Sequence, residues 1–330
     1  MEEIHAVIPV SSEESAQVID NSMQSIQQLE VPSGSRLHVH YVVDSEDVEK
    51  DLRLSETDYS GINSYFRELE DGTKAGALNH MIEQLDSPDY IAIFDVDSRP
   101  SKNFVVECKN ALDSSENVFL ASCPRKIINY EQNLVTKMAG AEFDLFNDIQ
   151  YINDRYNSFN TFNGPISLID GEYVRNNPFD EQVTCEDIEF VQEAYLNGLR
   201  TKMSDETYVG EQAPLNLKDL YFQKIRWMTG ALESLEKHAK DFALSDRSLK
   251  IKMGWFASVS LPFFAGILSI LFPIFSLRRN LKGDSIVRSI NKGVALFLFS
   301  WLVMVCGLVV IKKRIFNQNI TWKSPERENI

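Results

Sequence analysis

The chain reads as an α/β protein built on a doubly wound, mixed sheet, followed by an interface helix and two membrane-crossing helices. Three observations predict this. Apolar runs of strand length alternate with amphipathic runs of helix length over most of residues 4–197. One run, IAIFDVDSRP at residues 91–100, ends in two carboxylates, Asp95 and Asp97, with only Val96 between them. Two charge-free stretches, residues 253–277 and 293–311, lie near the end of the chain. At about 1.5 Å per residue these reach roughly 37 and 28 Å, against a hydrocarbon thickness of about 30 Å.

The charge is divided as sharply as the hydropathy. Residues 1–250 hold 45 acidic and 22 basic side chains, whereas residues 251–330 hold 3 and 11. An acidic body repels a phosphate backbone, so DNA and RNA are excluded as partners. A hydrophobic content of 44% is enough for a real core. The four cysteines form no CxxC pair, and MEEIHAVIPV carries no signal-like apolar core, so free thiols and a cytosolic body are expected.

In order, Ile4 to Val10 reads as a strand, Ser15 to Leu29 as a helix ended by Pro32 and Gly34, and Leu37 to Val43 as a second strand. That strand exits at Asp44, a position open to a nucleotide base or ribose, or equally to a turn cap. After a polar segment comes DGTKAGALN, residues 71–79, running into a helix from Ala77 to Leu85. Gly72 and Gly76 allow close backbone approach and Lys74 adds positive charge at a helix start, which suits a phosphate as well as an ordinary turn. The strand at 91–94 is followed by a helix from Ser101 to Leu112 and a strand from Val118 to Ser122.

Asp-x-Asp at a strand exit offers two hard oxygen ligands, the chemistry that Mg²⁺ or Mn²⁺ on a diphosphate requires. Taken alone, it also describes a solvated turn. Further on, residues 134–150 are amphipathic, and Phe159 to Ile169 is an aromatic stretch read either as acceptor lining or as plain core. Thr184, Cys185, Glu186 and Asp187 precede a helix from Ile188 to Asn197 that stops at Gly198. Thr184 or Asp187 can cap it, and a carboxylate held there is also a candidate general base. In the helical segment Leu217 to His238, Gln223, Arg226 and Trp227 project from one face, where Arg can grip a diphosphate and Trp can stack on a sugar.

Pro262 and Pro273 would kink the first membrane segment or fold it into a re-entrant hairpin. Lys250 and Lys252 flank one end of the pair and Lys312, Lys313 and Arg314 the other. The loop between carries Arg278, Arg279, Lys282, Arg288 and Lys292, so charge does not orient the pair.

Together and in this order, the pieces resemble a membrane-bound family-2 glycosyltransferase of the group that includes cellulose and hyaluronan synthases and the β-mannosyltransferases. KAGALN, FDVD, TCED and QKIRW are similar to the family's Lys-Ala-Gly-Ala-Leu-Asn, Asp-x-Asp, Glu-Asp and Gln-x-x-Arg-Trp motifs. The chain departs from the family at VIPVSSEES after the first strand and at FNGPISLID around Gly164. The resemblance implies a GT-A fold, Rossmann-like, with Asp44, Lys74 and Asp95 against the nucleotide and Asp97, with Asp95, on a Mg²⁺ or Mn²⁺ ion. It implies Asp187 as base with Glu186 beside it, Gln223 and Arg226 on the leaving diphosphate, and Trp227 at the acceptor.

The organisation expected is therefore a cytosolic GT-A domain over residues 1–212, an amphipathic interface region over 213–250 and a multi-pass membrane region over 251–330. The function expected is inverting transfer from a UDP- or GDP-sugar to a lipid-linked or glycan acceptor at the cytosolic face of the cell membrane. A processive polysaccharide synthase and a non-catalytic nucleotide-sugar binder are the alternatives, and homo-oligomers stay open.

Overall fold

The structure, a computed structural model, describes residues 1–12, 14–44, 62–67, 72–161, 166–271 and 286–318. In chain order the elements are β1 (Glu2–Val10), α1 (Ala16–Ile26), β2 (Ser35–Asp44), β3 (Ile62–Arg67), α2 (Lys74–Gln84), β4 (Tyr90–Phe94), β5 (Arg99–Pro100) and α3 (Phe104–Leu112). There follow β6 (Val118–Ser122), β7 (Arg125–Ile127), α4 (Leu134–Arg155), β8 (Ile166–Asp170), α5 (Gly171–Asn176), α6 (Glu186–Leu196), β9 (Arg200–Met203), β10 (Val209–Glu211) and α7 (Leu217–Leu244). The C-terminal part holds α8 (Leu249–Ser260), a short α9 (Ala265–Leu268) between two 3₁₀ turns, and α10 (Ile286–Ile315).

These elements form two compact units, the first of residues 1–124 and 161–210, the second of residues 125–160 and 211–328. The first is built on a seven-stranded sheet in the order β3-β2-β1-β4-β8-β6-β9. β1 pairs in parallel with β2 and β4, β2 with β3 and β6 with β9, while β8 runs antiparallel between β4 and β6. The doubly wound, mixed reading therefore holds. One face of β1 and β2, with Ile4, Ala6, Ile8, Val39, Tyr41 and Val43, packs with Val18, Ile19, Met23 and Ile26 of α1. Those helix positions recur at the spacing of one helical face, which is why the segment folds as a helix and not a strand. β4 is apolar throughout, and its residues 91–94 are fully buried, as a strand covered on both faces must be.

Element ends moved where caps decided them. Ser15 and Thr73 accept backbone N–H bonds as the N-caps of α1 and α2, so α2 begins at Lys74, three residues before the apolar run suggested. α6 begins at Glu186 after Cys185, whose side chain makes no capping bond, so neither Thr184 nor Asp187 is the cap. Gly198 closes it with φ +94°, a conformation that glycine adopts freely. Residues Ile166–Ile169 form a buried core strand. Gly164 and Pro165 of the departing segment lie outside the described residues, as do Asp71, Pro273, Arg278, Arg279 and Lys282.

The second unit is helical apart from β7 and the last residue of β10. Its core joins Met138, Ala139 and Ala141 of α4, Leu220, Ile225 and Met228 of α7, and Ala295, Leu296, Phe299, Val303, Cys306 and Val310 of α10. The α10 positions trace one stripe, and Val294, Phe297, Trp301, Val305 and Leu308 leave the rest of the helix apolar and exposed. Among the described residues, two stretches are long and apolar enough to cross a membrane, Leu249–Leu268 and Ser289–Ile315. Pro262 sits in the first 3₁₀ turn, where the α-helix breaks. The two stretches touch where side chains are absent: a Cβ on Gly266 would lie 2.8 Å from Met304, and one on Gly307 2.8 Å from Phe263. All four cysteines are buried and none is in a disulfide.

Candidate active site

Parallel strands bring their carboxyl ends to one edge of the sheet, and the first unit gathers its acidic groups there. β4 ends in a tight turn in which the Asp95 carbonyl accepts from the Ser98 N–H at 2.9 Å. The Arg99 guanidinium donates to the carbonyls of Val96 and Ser98, at 3.1 and 2.9 Å, and holds the turn from beneath. Asp95 and Asp97 emerge half-buried. Thr73 caps α2, and the next residue, Lys74, reaches across to Asp95 Oδ1 at 2.6 Å and Glu186 Oε1 at 3.6 Å.

The Lys74 ammonium is thus the bridge between β4 and the start of α6. Burial pulls its pKa down, but Asp95 first, then Glu186 and Asp187, more than offset this, and the net shift is upward. Lys74 stays charged at any working pH. Asp187 stands in the first turn of α6, its Oδ1 accepting from the Ile188 N–H at 2.8 Å, a place where the helix dipole favours a carboxylate. Four carboxylates, Asp95, Asp97, Glu186 and Asp187, with one interleaved ammonium leave an excess of negative charge at the edge.

That donor set fits a divalent cation completed by substrate. Among the described residues no group of three or more His, Cys, Asp or Glu side chains is arranged to hold a metal alone. Mg²⁺ and Mn²⁺ commonly take one or two carboxylates and fill the remaining positions with phosphate oxygens and water, and Asp95 and Asp97 are oxygen donors of the right hardness.

Asp44 also reaches this edge, already engaged. Its register partner across β2 and β3 is Arg67, and Arg67 Nε donates to Asp44 Oδ1 at 2.7 Å, both side chains largely buried. Gly72 lies directly against this carboxylate, since a Cβ there would meet Asp44 Oδ2 at 2.1 Å. The sequence does not mark Arg67, because the polar segment before residue 71 carries no strand periodicity strong enough to reveal β3. Asn79, the last residue of KAGALN, has a structural role: its amide clips Phe179, donating to the carbonyl and accepting from the N–H, both at 2.9 Å, and it donates to Glu181 at 3.0 Å.

Gln223, Arg226 and Trp227 belong to α7 in the second unit, all half-buried on one side of the helix. Here the structure adds residues that the motif treats as spacers. Lys224 is buried, 2.6 Å from Glu142 Oε2 on α4, with its Nζ 3.5 Å from the centroid of the Trp227 ring. Burial lowers the Lys224 pKa to about 8, against the opposing pull of Glu142, and burial likewise raises that of Glu142.

Known proteins fit this picture. Residues 90–311 match the family described as Glycosyl transferase family group 2. Glucomannan 4-beta-mannosyltransferase 7 of Arabidopsis thaliana is 26% identical over 276 residues, 79% of this chain and 48% of the relative. Glucomannan 4-beta-mannosyltransferase 1 of Cyamopsis tetragonoloba is 25% identical over 193 residues, 57% of this chain and 37% of the relative. The chain thus spans half or less of the length of these curated relatives. Among solved structures, a mannosyltransferase from Pyrobaculum calidifontis in complex with GDP-Man and Mn²⁺ superposes with TM-score 0.64 at 16% identity, covering 96% of this chain and 88% of that one. S. aureus TarS 1–349 superposes with TM-score 0.53 at 16% identity, covering 99% of this chain and 98% of that one. The sheet is that of the GT-A glycosyltransferases, and the family match extends over two thirds of the residues. With an Asp-x-Asp turn, a Glu-Asp helix start and a Gln-x-x-Arg-Trp helix in order along it, the chain belongs to family 2 of the glycosyltransferases.

Proposed function

We propose that the protein transfers a mannosyl residue from GDP-mannose, with inversion, to a lipid-linked or glycan acceptor at the cytosolic face of a membrane. The observation that carries the chemistry is the cluster of Lys74, Asp95, Asp97, Glu186 and Asp187 at the carboxyl edge of the sheet. Mannose is favoured as the transferred sugar by the relatives, which are mannosyltransferases by name, and GDP as its carrier by the GDP-Man in the Pyrobaculum calidifontis complex.

In this reading Asp44 receives the nucleoside, held in place by Arg67. Asp97 and Asp95 would hold a Mg²⁺ or Mn²⁺ ion, which when bound supplies Lewis-acid charge neutralisation to the diphosphate. Lys74 sets the Asp95 carboxylate. Gln223 and Arg226 bind the departing diphosphate, Arg226 as a forked donor that matches phosphate geometry. Asp187, with Glu186 beside it, takes the proton of the acceptor hydroxyl as that oxygen attacks the anomeric carbon from the face opposite the leaving group. Trp227 gives the acceptor an apolar platform. Residues 1–212 hold the nucleotide, metal and base groups, 213–250 lie at the interface and carry Gln223, Arg226 and Trp227, and 251–330 anchor the protein.

A second reading, elongation of a mannan-type chain, is favoured by the glucomannan enzymes among the relatives. Secreting a growing chain requires a conduit for unpaired sugar hydroxyls, and the two apolar stretches among the described residues do not by themselves enclose one. The test is to incubate membranes carrying the protein with a panel of GDP- and UDP-sugars, with Mn²⁺, Mg²⁺ or EDTA. Consumption of GDP-mannose dependent on the metal, with a single addition to lipid-extractable material, is the expected result. A ladder of long water-soluble chains would replace the first reading with the second, and consumption of no nucleotide sugar would overturn both.

A further inference from the structure

We propose that Lys224, with Glu142 and Arg125, is a positioning device for the indole of Trp227 and thereby sets how well the enzyme engages its acceptor, an inference that rests on the acceptor role given to Trp227 above. Lys224 is 1% exposed and stands one helical turn before Trp227 on α7. Its Nζ lies 3.5 Å from the indole centroid, 5.3 Å from that of Phe299 and 6.0 Å from that of Phe143. Phe143 meets the indole edge to face at 6.3 Å and 84°. Arg125 lies 4.1 Å over Phe143 and 5.8 Å from the indole.

The support behind these rings is itself fixed. Arg125 Nη1 donates to both oxygens of Glu211, at 3.3 and 3.2 Å. Its backbone is clamped by Asn147, which accepts from the Arg125 N–H at 3.2 Å and donates to the Arg125 carbonyl at 2.9 Å. The indole is therefore oriented from α7, α4 and β7 at once, while Trp227 itself remains half-buried and keeps part of its surface for a ligand. A buried ion pair is poor value as pure stabilisation, since apolar residues of similar volume often do as well or better. What it supplies here is a directional attraction, since the ammonium lies over the face of the indole.

The charged and titratable groups facing Lys224 are Glu142 from α4, Arg125 from β7 and Cys306 from α10. With its pKa near 8, Lys224 loses its charge in a range where a tryptophan signal is easily followed. The experiment uses the full chain in membranes or detergent with Trp255, Trp301 and Trp322 changed to Phe, so that Trp227 alone reports. Without substrate, its fluorescence should titrate with a midpoint near pH 8, and Lys224→Met should abolish the titration. Should that variant not fold, Glu142→Gln removes the counter-charge and should move the midpoint down. A titration unchanged in either variant overturns the proposal.

With GDP-mannose as donor, Lys224→Met should lower the ratio of transfer to endogenous membrane acceptor over hydrolysis by about tenfold, with donor KM within about twofold. Lys224→Arg should restore part of the ratio. Equal loss on donor and acceptor sides would make Lys224 merely structural and overturn the inference. Failure of the wild type to use any nucleotide sugar would instead strike the glycosyl-transfer reading, and the fluorescence arm would still decide whether Lys224 holds the ring.

Discussion

At the scale of single residues, the edge of the sheet separates groups that hold from groups that react. Asp97 leaves β4 on a turn whose hydrogen bonds are made by the Asp95 carbonyl, the Ser98 N–H and the Arg99 side chain. Asp97→Asn should lose metal-dependent transfer, and activity equal to wild type in the variant or in EDTA would end the metal assignment. Asp187→Asn should lower kcat by about 10²- to 10⁴-fold with donor KM nearly unchanged, as expected for a base that acts only in the transition state; a changed donor KM at constant kcat would make Asp187 a donor ligand. Arg67 belongs to the holding group. Arg67→Met strands the buried Asp44 carboxylate, and breaking such a pair costs about 3–5 kcal/mol, to be read as a fall in the denaturation midpoint.

At the scale of elements, the first two strands carry an acid-sensitive seam away from the catalytic edge. His5 on β1 stacks between His38 and His40 on β2, with ring centroids 4.7 and 5.1 Å away. His5 Nδ1 and His40 Nε2 share one hydrogen bond of 2.9 Å, which needs one donor and one acceptor. Protonating both rings would set two donors against each other. Burial first, then the neighbouring imidazoles, lower the pKa of His5 and of His40 to about 4. An unfolded histidine titrates near 6.5, so the unfolded chain binds more protons between the two values. The stability this seam contributes is complete above about pH 6.5 and lost as pH falls toward 4. The loss should be on the order of 2 kcal/mol, solvent screening reducing the share of the half-exposed His5, and melts from pH 7 to 4.5 on wild type and His40→Gln should show a smaller acid effect in the variant.

At the scale of the whole molecule, the most apolar helix does two jobs. One stripe of α10 completes the core of the second unit, and its ends are tied by Lys292 to Asp144 at 3.3 Å and by Arg314 Nε to Glu236 at 3.1 Å. Its other side is apolar and exposed, together with Phe256, Phe264, Ile267 and Ile270 of the preceding stretch. Cutting the chain after Ser248 should expose Met138, Leu220, Ile225 and Met228, each worth about 1.5–3 kcal/mol when buried. The truncated protein should aggregate or melt without cooperativity in its second unit, and a monodisperse fragment with an intact Trp227 signal would show that α10 is only an anchor.

The sequence by itself determined the alternation of strands and helices, the Asp-x-Asp turn, the Gln-x-x-Arg-Trp helix and the two apolar stretches. These are local properties: periodicity, composition and short spacing report on residues that are neighbours in the chain. Asp44, Lys74, Asp95 and Glu186 were legible as individual positions, yet their partners were not. Only the tertiary structure decided that Lys74 bridges Asp95 and Glu186, that Arg67 holds Asp44, that β8 runs against its neighbours and that Lys224 lies over Trp227. Each of these joins residues far apart in sequence or hides a charge in a core. Burial sets its value, and burial is a property of the folded chain that no local pattern contains.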